Sequence, residues 1–104
     1  MLRIYPVCIE LIRELKPLLR QIERFDRDQA RHLRRSAKSV ALNVAEGSGC
    51  RGGTRRSRYL DALGSARESR TNLEIAEALG YIAPLPAGMR RRFDHIIGTL
   101  VRVT

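Results

Sequence analysis

The sequence predicts an all-α protein, an antiparallel up-down four-helix bundle. Three observations carry this. Apolar residues recur at steps of three and four along four segments, the period of a helix with one buried face. Glycine and proline clusters fall between those segments. No segment alternates apolar and polar residues in the manner of a strand. At 104 residues the chain makes one domain, and amphipathic helices on short connections bury their stripes against one another.

The first helix is expected over residues 7–25. Cys8, Leu11, Leu15, Leu18, Ile22 and Phe25 fall in one stripe, widened by Ile12 and Leu19. Pro17 removes one backbone hydrogen bond inside it, so a bend is expected there. Asp26 and Gln29 form a capping box for a second helix over 27–47, with the stripe Ala30, Leu33, Ala37, Val40, Val44 and Gly47. Gly49, Gly52 and Gly53 follow its end. The third helix, 55–79, shows Tyr59, Ala62, Ala66, Ser69, Leu73 and Ala76 on one face, and Gly80 stops it. Beyond "PLPAG" (84–88) the fourth helix, 87–103, carries Met89, Phe93, Ile96, Leu100 and Val103. The small residues in the second and third stripes predict a close approach of those two backbones.

The third helix has a second apolar face, with Leu60, Gly64, Ile75 and Leu79 roughly opposite the Ala66 stripe. One helix cannot turn both faces to its own core, so this face is expected to meet another subunit. A chain of this size buries only roughly 60–70% of its surface by folding alone, which favours such association.

Charge is the strongest compositional signal. Twenty basic residues stand against 11 acidic, a net charge of +9, and 18 of the 20 are arginine. A GC-rich coding sequence also favours arginine over lysine, but it does not account for the net charge, which attracts polyanions. The charge is concentrated. Residues 27–58 hold nine basic side chains, among them Arg31, Arg34, Arg35, Lys38, Arg51, Arg55, Arg56 and Arg58, against Asp28 and Glu46. These eight are the expected contacts to RNA or DNA. Only five aromatic residues are present, so binding is expected at the backbone, with weak sequence preference.

A polar seam interrupts the second helix. Ser36, Ser39, Asn43 and Glu46 line up beside its apolar stripe, away from Arg31, Arg34, Arg35 and Lys38. Buried polar groups must be hydrogen-bonded, and their pairing fixes which helices adjoin and in what register. The catalytic alternative finds no support in spacing: there is no Glu-x-x-His pair for a di-metal bundle and no Ser-His-Asp arrangement. "GSGCRGGTRR" (47–56) lacks the Gly-Lys-Ser/Thr ending of a phosphate loop and follows a helix instead of a strand. Cys8 and Cys50, His32 and His95 match no metal spacing, so neither a metal nor a cofactor is expected, and the cysteines read as reduced cytoplasmic thiols. No uncharged stretch long enough to span a membrane occurs, and Glu10, Arg13 and Glu14 argue against a cleaved signal peptide.

Two blocks, "LRRSAKSVALNVAEGSG" (33–49) and "ALGSARESRTNLEIAEALGYI" (62–82), resemble the four-helix-bundle proteins encoded in intervening sequences of bacterial large-subunit ribosomal RNA genes. The matching positions are Ser39, Asn43, Ala45, Glu46 and Gly47, then Gly64, Ser65, Glu68, Leu73, Ala76, Leu79, Gly80 and Tyr81. The resemblance implies a bundle assembled into a ring-like homopentamer, with no enzymatic activity. Related accessory proteins of diversity-generating retroelements imply a further partner, a reverse transcriptase, beside nucleic acid. Ser69 and Arg70 stand where relatives usually carry Leu and Glu. Asn43, Glu46, Gly47, Gly64, Ser65 and Glu68 are then expected to set packing, within or between subunits. The expected function is a non-enzymatic, oligomeric protein that binds nucleic-acid backbone. The alternative is an interaction scaffold without nucleic-acid binding of its own.

Overall fold

A computed structural model describes residues 2–104. It contains four helices: α1 (Tyr5–Glu23), α2 (Arg27–Ser48), α3 (Gly52–Ala78) and α4 (Ala87–Val103). No strand occurs among the described residues. Each helix packs on two neighbours, α2 most extensively on α3, and α1 closes the bundle on α4. Cross-helix contacts give the directions. Gln29 near the start of α2 meets Asn72 late in α3, and Arg56 early in α3 meets the carbonyl oxygen of Thr104 beyond the end of α4. The protein is therefore an all-α, up-down four-helix bundle.

Local chemistry explains the boundaries. Asp26 is extended, and its carboxylate accepts the Gln29 N–H at 3.0 Å, which caps α2. The other half of the expected capping box is absent. The Gln29 side chain reaches across to donate to Asn72 instead of turning back. Gly80, at φ +76°, closes α3. With it, the N–H of Tyr81 reaches the carbonyl of Ala76 and the N–H of Gly80 that of Glu77, an ending that needs the left-handed conformation.

The α2 stripe and the first α3 face are buried as their spacing predicts. Helix α1 differs in two places. It ends at Glu23, because Asp26 starts the next helix, so Phe25 leaves the stripe and is 62% exposed. Leu19, not Leu18, completes the buried row; Leu18 stays at its edge, beside Pro86 and Met89. Helix α3 begins three residues before the expected start, at Gly52, and Val103 at the end of α4 is exposed.

Gly47 lets α2 lie close against α3. A Cβ there would overlap the ring of the buried Tyr59. Gly64 is different: apart from the backbone of α3 itself, nothing among the described residues lies within 4 Å of where its Cβ would be. Its face of α3 points outward, and Leu60, Ile75 and Leu79 on it are exposed. Among the described residues no helix is long and apolar enough to cross a membrane.

Candidate functional site

Polar side chains run like rungs along the α2–α3 contact. The Gln29 amide donates to the backbone and side-chain carbonyl oxygens of Asn72, and the Asn72 amide donates to the backbone carbonyl oxygen of Gln29. His32 faces Glu68 at 3.5 Å. Ser36 and Ser69, both buried, share a hydrogen bond of 2.8 Å. Ser65 donates to Ser39 at 2.9 Å, and the Asn43 amide donates to the hydroxyl and carbonyl of Ser39. Glu46 pairs with Arg58 at 3.3 Å. The rungs change character along the row. Those at Ser36–Ser69 and Ser39–Ser65 are dry or nearly so, whereas His32–Glu68 and Glu46–Arg58 are open to solvent. Glu46 thus lies further into solvent than the seam pattern predicts. Asn43 joins Ser65 only through Ser39, and Glu46 and Glu68 take partners outside the two matched patches.

The basic residues divide into two groups. Arg31, Arg34, Arg35, Lys38 and Arg58 line one open groove of about 450 Å³, walled on the seam side by Asn43 and Glu46. The exposed Leu42 sits among them. Three of these cations have weak acidic neighbours, Arg31 with Asp28 and Arg34 with Glu23, each at 3.5 Å, and Arg58 with Glu46 at 3.3 Å. Exposed pairs of this kind contribute roughly 0–1 kcal/mol, so a phosphate can displace them at small cost. Among the described residues Arg35 and Lys38 form no ion pair.

Arg51, Arg55 and Arg56 lie outside the groove. The Arg55 guanidinium donates to the carbonyls of Gly47 and Cys50 at 3.2 and 2.8 Å. It pairs the Cys50 carbonyl just beyond α2 and adds a second donor to the Gly47 carbonyl, which also accepts the Cys50 N–H. Arg56 donates to the Thr104 carbonyl at 2.8 Å. Both have structural work, which nothing in their spacing reveals. Two of the three cations that open α4 are also engaged. Arg92 holds Glu14 in a bidentate pair at 2.7–3.0 Å, which keeps the guanidinium more firmly charged than usual. Arg90 faces Glu77 at 3.5 Å.

Elsewhere the chemistry is quiet. Cys8 is buried in the core, and desolvation pushes its thiol up to about 12, so it is no nucleophile at neutral pH. No group of three or more His, Cys, Asp or Glu side chains is placed to hold a metal ion among the described residues. One contact escapes sequence reasoning altogether: Phe25 stacks on Tyr81, with ring centroids 4.8 Å apart and planes within 4°.

No curated protein and no solved structure matches this chain. A family model does: that of the 23S rRNA-intervening sequence protein covers residues 1–97. That span takes in all four helices except the last turns of α4, with both walls of the basic groove and the whole polar seam. The chain belongs to the 23S rRNA-intervening sequence protein family.

Proposed function

We propose that this protein is a non-enzymatic, oligomeric bundle that binds the backbone of RNA or DNA through the groove along α2. One observation carries the reading: five cations line a single open groove, and only three of them meet an acidic partner, all in exposed pairs. Four of the five are arginine, whose planar fork suits phosphate oxygens. The outward apolar face of α3 supports the oligomeric part. Leu60, Ile75 and Leu79 are exposed within the described chain, and a second copy would cover them. Repeated around a ring, the groove becomes a continuous positive surface.

The exposed Leu42, an apolar side chain set among these cations, favours a second reading, a scaffold for a protein partner such as a reverse transcriptase. A pull-down from lysate with and without nuclease separates the two. Nucleic acid retained on the protein and lost on the charge-reversed groove supports the first. A protein partner retained after nuclease, with no nucleic acid bound, supports the second.

A further inference from the structure

The line of cations on α2 continues beyond the groove. Placed on a helical wheel, Arg27, Arg31, Arg34 and Lys38 share one solvent-facing stripe of α2. From Arg27 to Lys38 this stripe runs about 16 Å along the helix axis. Two residues before Arg27, at the turn from α1, stands Phe25. Its ring lies flat on that of Tyr81, which leaves α3 beyond Gly80 at the same end of the bundle. Phe25 is 62% exposed even though one of its faces is covered by Tyr81, so the other face is open to solvent. Arg24 and Arg27 flank it in sequence, and both are exposed.

We infer that the open face of Phe25 is a stacking platform for one unpaired nucleobase, at the end of a phosphate track formed by the α2 stripe. The inference rests on the proposed backbone binding and adds a preference to it, for single-stranded over double-stranded nucleic acid. Cations along a groove follow a backbone of either kind, but a base can lie on an aromatic face only when it has left its own stack. Tyr81 fits the role of a backstop. It holds the Phe25 ring flat, so the side chain loses little further freedom when a base arrives.

The test compares three probes: a short adenine-rich RNA strand, the DNA strand of the same sequence, and the blunt duplex. Phe25→Leu keeps an apolar side chain against Tyr81 but removes the aromatic face. Single-strand binding is expected to weaken roughly 5- to 100-fold, as for the loss of one stacked base. Duplex binding is expected to stay as it is, and the melting temperature to fall only by about the few degrees that the loss of one exposed aromatic pair costs. Phe25→Trp is expected to restore the preference. A 2-aminopurine in either single strand should be quenched by the wild type and not by Phe25→Leu. Equal single-strand binding by wild type and Phe25→Leu, with backbone binding intact, overturns the platform alone. Failure of the wild type to bind any of the three probes overturns the backbone reading and the platform with it.

Discussion

The serine pair Ser36–Ser69 decides how two helices sit side by side. Each hydroxyl also touches a carbonyl of its own helix, Leu33 and Ser65 respectively. Removing one serine therefore leaves the other with a local partner. We expect Ser36→Ala or Ser69→Ala to cost about 0.5–1.5 kcal/mol, and the double change to cost less than the sum; chemical denaturation of the three variants measures this. Glu46→Ala should cost under about 1 kcal/mol, because its pair with Arg58 is exposed. A larger loss would mean that Glu46 is buried by another copy. Gly47→Ala meets the Tyr59 ring and should cost about 1–3 kcal/mol. The Cys8 thiol gives a pH signature. Its pKa in the folded protein, about 12, lies above the ordinary 9.0, so the folded state keeps a proton that the unfolded state sheds. Stability is full below pH 9.0 and falls as the pH climbs toward about 12. Cys8→Ala should flatten that decline.

At the scale of the helices, most of the fold is legible from spacing, and the reasons are physical. The α2 stripe and the first face of α3 keep a strict period, so burial follows from it. Ends are harder to read, because they depend on single hydrogen bonds. Asp26 reads as a cap from its type alone, but the turn of the Gln29 amide toward Asn72 depends on a helix 43 residues away. The groove was partly legible in the same way. Arg31, Arg34, Arg35 and Lys38 share a face by period, whereas Arg58 joins them only because α3 folds back on α2. Nothing local marks Arg55 as the side chain that ties off α2. The second face of α3 carries its own prediction. Light scattering of the wild type should give several times the 11.8 kDa chain mass. Leu60→Glu with Ile75→Glu should give a folded monomer, since both side chains are exposed within the chain. Gly64→Leu should act likewise, with helical content unchanged, because nothing in its own bundle stands in the way. A stable wild-type monomer would contradict this.

The whole molecule is a bundle 42 Å long that concentrates its charge on one helix pair. Residues 27–58 supply seven of the net nine positive charges, and the fold gathers five of those cations into one groove. Arg55 and Arg56 are fastened to backbone carbonyls near the turn from α2 to α3. A variant meant to test binding should therefore spare them and reverse Arg31, Arg34, Arg35 and Lys38, which are all exposed and off the core stripe. The direct measurement is the salt dependence of binding to a labelled RNA strand. If four or five phosphates are neutralised per groove, log K should fall by about 3 to 4 per tenfold rise in salt. The four-fold reversal should melt like the wild type, bind all sequences less tightly and flatten that slope. No binding at roughly 50 mM salt, where surface electrostatics is strongest, or an unchanged slope in the reversed variant, would contradict a phosphate-binding groove on α2.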